Sequence, residues 1–241
     1  MIIETYGVGE RLREAARLCQ SLRVRHLILL PIPTSKDGKY ITGTDILLED
    51  TLQNAGKDTQ IVGYALPEEY KERCNGLGAR VLDLLHDVPF VEENARLSAL
   101  GVIGYLLTNT DRAPRDMKIG VAGYGRIGKD IVRTLLFLGA SPTVYTSHIE
   151  VAQALAECGI SAVCGYPCSF SGLDVLINTA PRDMRDCFEN TENMPRSIIE
   201  VASGKNFEGI DCVSTLSAIP EKSYPKSAAK AYFEAVKRWA I

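Results

Sequence analysis

The chain lacks the features that would remove it from the ordinary aqueous globular class. Its longest apolar runs, around His26–Ile32 and Val132–Ala140, reach about seven residues, whereas a membrane span needs about 20. The opening Met-Ile-Ile-Glu-Thr-Tyr-Gly has neither a basic start nor an apolar stretch behind it, so no secretory leader is expected. Charge of one sign is also missing. With 27 Lys and Arg against 30 Asp and Glu, the net charge is −3, which leaves no electrostatic footprint for nucleic acid or an anionic membrane. Seven cysteines are an odd number and contain no C-x-x-C. Cys164-x-x-x-Cys168 is half of a metal pattern, but no histidine lies near it and no second pair completes it, so no metal is expected. The chain reads as soluble, reduced and cytoplasmic. A hydrophobic content of 46% with 24% charged residues excludes disordered, collagen-like and disulfide-scaffold classes. Its 241 residues suffice for one large core or two small ones.

What is present is alternation. Arg25–Pro31 is a short apolar strand ended by proline, followed by the polar loop Pro33–Lys39. Asp45–Asn54 predicts a helix, Thr59–Tyr64 a strand, Glu68–Asn75 a helix opened by Pro67, and Ala79–Leu84 another strand. Strands alternating with helices point to a parallel sheet. In Val91–Leu107 one apolar stripe runs Val91, Ala95, Ala99, Val102, Leu106 and a second runs Leu100, Ile103, Leu107. Two stripes predict a helix buried on both sides, wedged between two domains, and the polar turn Asn109–Arg115 suits a domain boundary.

Met117-Lys-Ile-Gly-Val-Ala-Gly-Tyr-Gly-Arg-Ile-Gly128 carries the most information. A bare G-x-G-x-x-G is weak, but here it follows the strand Ile119–Ala122 and opens a helix with Ile127, Ile131, Leu135 and Leu138 on one face. Gly123 would make the tight turn, Gly125 would admit a pyrophosphate, and Gly128 would let helix pack on strand. The phosphates would meet free N–H groups at Tyr124, Arg126 and Ile127 and the positive end of the helix dipole. At the end of the second strand, Pro142–Thr146, an NAD protein would carry an acid. This chain has Thr146-Ser147-His148, with Glu150 arriving late, so NADP is preferred over NAD. Leu173–Pro181 and Ser197–Gly204 read as the fourth and fifth strands of a Rossmann-type sheet. Ligands bind beyond strand carboxyl ends, so Asn178, Thr179, Ala180, Glu200 and Ser203 are expected at the nicotinamide end.

Taken together, Ile28-Leu-Leu-Pro-Ile-Pro, Glu93-Asn94, Gly101 with Asn109-Thr-Asp111, the glycine turn, Leu-Ile-Asn-Thr-Ala-Pro181, Glu200-Val-Ala-Ser203, Ile219-Pro220 and Pro225-Lys-Ser-Ala228 resemble the dipicolinate synthase A-subunit family of spore-forming bacteria. The resemblance runs from about residue 25 to the end. It implies an α/β fold of two domains similar to 2-hydroxyacid dehydrogenases, a C-terminal Rossmann-type doubly wound parallel sheet plus a smaller N-terminal α/β domain. The domains expected are 1–92, with 226–241 packing back on it as a helix, and 93–225. It also implies a nicotinamide cofactor (NADP, or NAD) and a small cyclic dicarboxylate substrate in the cleft between domains, on the way to pyridine-2,6-dicarboxylate. The partners it implies are a second, flavoprotein-like subunit, together with further copies of the chain in a homo-oligomer, by analogy a dimer.

The resemblance breaks at two points. Leu100 stands where the family carries an acid, and the first domain looks short, with Met1–Gln20 offering one strand and a basic helix. Cationic or N–H donors for a dicarboxylate are Arg182, Lys226 and the loop Thr34-Ser35-Lys36, with Ser203 at a strand end. No general base stands out. A non-catalytic dinucleotide sensor or partner subunit is the alternative from another class. A 2-hydroxyacid dehydrogenase is weaker, since His26, His86 and His148 are the only histidines and Ser203 stands where its arginine would be.

Overall fold

The computed structural model describes residues 1–167, 170–188, 194–204 and 206–240. It divides into two compact units, Met1–Asn94 with Pro220–Ile241, and Ala95–Ile219.

The first unit is a four-stranded parallel sheet of β1 (Ile2–Thr5), β2 (His26–Leu29), β3 (Thr59–Gly63) and β4 (Arg80–Asp83), in that spatial order. Central strand β2 is covered on both faces, which is why it reads as an unbroken apolar run. Leu27 and Leu29 pack with Leu12, Ala15 and Cys19 of α1 (Glu10–Cys19) and Tyr232 of α7 (Pro225–Trp239). Ile28 points the other way, with Ile61 and with Tyr70 and Cys74 of α2 (Glu68–Gly76). The terminal helix α7 is pinned by its fully buried Tyr232, whose hydroxyl donates to the Leu30 and Val62 carbonyls at 3.0 Å each.

In Met1–Gln20, β1, a turn with Gly7 and Gly9 at φ of 120° and 126°, and α1 make a glycine-bearing βα unit. One expectation changes in this unit. Asp45–Asn54 is not an α-helix but a single 3-10 stretch, Leu48–Leu52. There the Asp50 carboxylate accepts from the Leu47 amide, and the Thr51 hydroxyl bonds the Leu48 carbonyl and the Tyr70 hydroxyl. Such local side-chain bonds offer the backbone an alternative to helix propagation.

The second unit is a six-stranded parallel sheet, in spatial order β10-β9-β8-β5-β6-β7. Its strands are β5 (Ile119–Ala122), β6 (Thr143–Thr146), β7 (Ala162–Cys164), β8 (Val175–Asn178), β9 (Ser197–Glu200) and β10 (Val213–Thr215). This is the Rossmann order, with the switch point between β5 and β8. One face is closed by α3 (Val88–Thr108), α4 (Arg126–Phe137) and α5 (Ile149–Glu157), which contribute Val102, Leu106, Ile131, Leu135 and Leu155 to one core. The other face packs Tyr145, Leu176 and Ile198 against Phe170, Met184 and Phe207, all from irregular segments among the described residues. Helix α3 starts before Val91 because the Asp87 carboxylate accepts from the Phe90 amide at 2.8 Å and caps it. Its first stripe is buried from Ala95 to Leu106, with Val91 half-buried. In the second, Ile103 is buried but Leu100 and Leu107 are 48% and 47% exposed, so the helix is not buried on both sides. Among the described residues no helix is long and apolar enough to cross a membrane, and no group of three or more His, Cys, Asp and Glu could hold a metal. Cys164 is an exposed thiol, and Cys168 lies outside the described residues.

Candidate functional site

The four residues of β5 are fully buried and deliver the chain into Gly123-Tyr124-Gly125 at the sheet's switch point. Each glycine meets a different demand. Gly123 has φ of 93°, and a Cβ there would lie 2.6 Å from Thr179 Oγ1. A Cβ on Gly128 would lie 2.2 Å from the Gly123 carbonyl oxygen, so helix and turn pack backbone to backbone. A Cβ on Gly125 would meet nothing within 4 Å. Gly125 is therefore not required by packing within the protein; it leaves a space. That space lies at the N-terminus of α4, whose N-cap residue has no side chain to cap the helix and whose first turn contains no acid. It contains Arg126 instead, a cation at the positive pole of a helix dipole. An anion near the first turn of a helix is stabilised by a few tenths of a kcal/mol to about 1 kcal/mol. A diphosphate suits all three features: empty room, helix-end amides and positive charge.

Thr179 locks this turn. Its amide donates to the Ala122 carbonyl at 2.8 Å, and its hydroxyl faces the Ala122 and Gly123 carbonyls at 3.0 and 3.2 Å. Beside it, Asn178 is fully buried. Its Oδ1 accepts from the Ala180 amide at 3.1 Å, while Nδ2 faces the Ala180 carbonyl and both oxygens of Glu200 at 3.0–3.1 Å. Glu200 is 2% exposed, and Asn206 Nδ2 donates to it at 3.4 Å. Burial pushes the Glu200 carboxyl above its ordinary range, against the pull of the asparagine and backbone donors. The end of β9 thus braces the end of β8, which clamps the glycine turn.

Among the expected site residues, Asn178 and Glu200 are buried and bonded to each other. Thr146 is 2% exposed, with its hydroxyl accepting from the His148 amide at 3.3 Å, which leaves Ser147 and His148 as the exposed groups at the end of β6. Glu150 stands 3.7 Å from His148 Nδ1. Tyr124 and Ile127 lean on the helix-face core, Lys129 lies 5.7 Å over the Tyr124 ring, and Ala180 is 9% exposed beside Gly123.

Among the substrate candidates, Thr34 is fully buried. Its hydroxyl donates to the Pro31 carbonyl and accepts from the Tyr64 amide, which makes it a scaffold residue of the loop. Ser35 donates to Asp37, and Lys36 is exposed. In the second unit Arg182 stacks 5.0 Å over the Tyr166 ring, and Ser203 is exposed. Lys226 is exposed in the first turn of α7.

His26 joins Glu4 at 2.8 Å and Thr59 Oγ1 at 3.0 Å. This resembles a hydroxyl–imidazole–carboxylate triad, but Thr59 is 2% exposed and already accepts from the Gly56 amide. The same Glu4 accepts from the Tyr6 hydroxyl at 2.6 Å and pushes its pKa up to about 12. The arrangement braces β1 against β2. The clamp by Thr179 and the brace through Asn206 had no local signal in the sequence beyond polar residues after strands.

No family model matches the chain, and no curated protein matches it. Among solved structures, the dipicolinate synthase A-subunit from Bacillus halodurans superposes with a TM-score of 0.76 at 19% identity, over 99% of this chain and 97% of that one. The corresponding dipicolinate synthase chain from Bacillus subtilis gives 0.71 at 16%, over 99% and 94%. An L-alanine dehydrogenase gives 0.60 at 13%, over 99% and 88%. The chain therefore has the two-unit α/β fold of these proteins, with a Rossmann-type sheet of the kind dehydrogenases use.

Proposed function

We propose that the second unit binds a nicotinamide dinucleotide on the Gly123–Gly128 turn, and that the chain is an oxidoreductase acting on a small cyclic dicarboxylate. The observation that carries the cofactor half is the empty space at Gly125, before an α4 N-terminus with Arg126 in its first turn. The dicarboxylate half leans on the fold shared with the dipicolinate synthase A-subunit. NADP(H) is the preferred form in this reading. Ser147 and His148 offer a 2′-phosphate a hydroxyl and an imidazole, where an NAD protein would present an acid.

When bound, the nicotinamide would supply hydride transfer. The protein's own part is orientation. Thr179 holds the turn that would carry the diphosphate, and the Asn178–Glu200 brace fixes the end of β8, beyond which Arg182 stacks on the Tyr166 ring. Self-association and a second, flavoprotein-like subunit belong to the same proposal.

NADPH fluorescence titration tests the cofactor half. Saturable binding is expected, and its absence with every oxidised and reduced form would end the reading. Turnover is expected with a cyclic dicarboxylate, alone or with a flavoprotein partner. A second reading, a dinucleotide-binding subunit without chemistry of its own, is favoured by the carboxylates at the strand ends: Glu200 is inaccessible and Asp183 is held well down, to about 2, by Arg185. Binding without turnover would select it.

A further inference from the structure

The first unit contains a buried cation for which the proposed function has no use. Arg11 lies in the first turn of α1 and is 4% exposed. Its Nε and Nη1 have no hydrogen-bond partner, so three of the five N–H donors of the guanidinium are without an acceptor. An unpartnered buried charge is costly, and proteins keep one where something completes it. Its nearest anion is Glu221 of the short helix α6 (Ile219–Ser223), with Oε2 at 3.8 Å from Nη2, too far for a hydrogen bond. The other oxygen of the same carboxylate, Oε1, rests on the N-cap of α1, 1.7 Å from where a Cβ on Gly9 would stand. That helix end has no side-chain cap.

One carboxylate therefore touches two anion-seeking features at once, the uncapped helix N-terminus and the incompletely paired guanidinium, and fits neither well. The turn that carries them follows the carboxyl end of β1, the edge of a parallel sheet at which ligands bind. Glu221 is 23% exposed against 4% for Arg11, so it lies on the solvent side and can swing out without disturbing the core behind it.

We infer that Gly9 and Arg11 form a carboxylate-binding seat that Glu221 fills as an internal stand-in, and that a small carboxylate ligand takes it by displacing Glu221. The seat follows from this geometry alone; naming a dicarboxylate as its ligand rests on the proposed function. A carboxylate is favoured over a phosphate because the present occupant is a planar carboxylate that reaches both features.

The test is calorimetric titration of the full chain with pyridine-2,6-dicarboxylate and, separately, with glutarate and inorganic phosphate. Glu221→Gln removes the charge of the competitor and is expected to tighten dicarboxylate binding about tenfold. Arg11→Gln is expected to weaken it at least tenfold, and NADPH titrations should be unchanged in both variants. Dicarboxylate affinities in Glu221→Gln within twofold of the parent would overturn the seat, as would no binding in either protein or tighter binding of phosphate than of glutarate. If Arg11→Gln does not fold, Glu221→Gln decides alone. Both dicarboxylate effects without any NADPH binding would sink the proposed function and leave the seat standing. NADPH binding with neither effect would do the reverse.

Discussion

Gly125→Ala should separate ligand binding from folding. At φ of −78° the position is open to any L-residue, and the added methyl meets no atom within 4 Å, so there is neither strain nor clash in the folded protein. Two small terms remain. Alanine is a poorer N-cap than glycine by roughly 1 kcal/mol, while removing a glycine from the unfolded chain contributes about 0.4–1 kcal/mol of stability. They nearly offset, so the melting temperature should stay within about 3 °C of the parent. Binding is different, because the methyl stands where a diphosphate must approach the amides. An overpacking cost of about 1–3 kcal/mol corresponds to roughly 5- to 150-fold weaker binding.

Gly128→Ala is the control with the opposite character. Its methyl would lie 2.2 Å from the Gly123 carbonyl oxygen and 3.0 Å from Thr179 Oγ1, so backbone must move. Stability should fall by about 1–3 kcal/mol and the melting temperature by roughly 2–12 °C. Thermal melts by circular dichroism and NADPH fluorescence titrations read both quantities. Parental NADPH affinity in Gly125→Ala would show that the open space is not the diphosphate's, and the cofactor assignment would fail with it.

Three further outcomes are expected. Ser147→Asp, at the exposed end of β6, should shift preference from NADPH toward NADH, and an unchanged ratio of the two affinities would mean that the ribose lies elsewhere. Glu200→Gln should alter the pH dependence of stability. The folded carboxyl titrates above its ordinary value of 4.5, so its contribution is complete below about 4.5 and is lost as pH rises through the folded value. The stability of the parent relative to Glu200→Gln, from urea melts at a series of pH values, should therefore decline across that window and then level off, and a difference that rose with pH would refute the sign. Tyr232→Phe removes a fully buried hydroxyl shared between two carbonyls and should cost about 1–2 kcal/mol with NADPH binding intact; an unaltered urea midpoint would show that α7 is not held this way.

How much of this was legible in the chain follows from where each signal is stored. The glycine turn was readable because its demands are local: a buried strand, two glycines one residue apart and a helix stripe lie within about 20 residues of one another. The Rossmann order itself was only partly readable. Edge strands β7 and β10 are three residues each with mostly exposed or half-buried side chains, too short and too wet for an alternating pattern to register. Asn178 shows the limit at the site. Asparagine after a strand suits a turn, a ligand contact or a buried brace equally, and the choice is made by Glu200 and Asn206, which the fold brings to it from a different strand and its following loop.

Arg11 is the stronger case. In sequence it is one of several arginines on a basic helix and would be read as solvated, since Leu12, Ala15 and Cys19 already define the buried face of α1. It is buried because the terminal segment returns: Glu221 of α6 reaches its guanidinium, while α7 packs with α1 in one core. A charge whose burial is decided by elements some 200 residues away leaves no trace in local periodicity. The same remoteness makes Arg11 informative, since folding α7 against α1 puts an unsatisfied guanidinium under cover, and an arrangement that costs stability persists where a ligand can complete it.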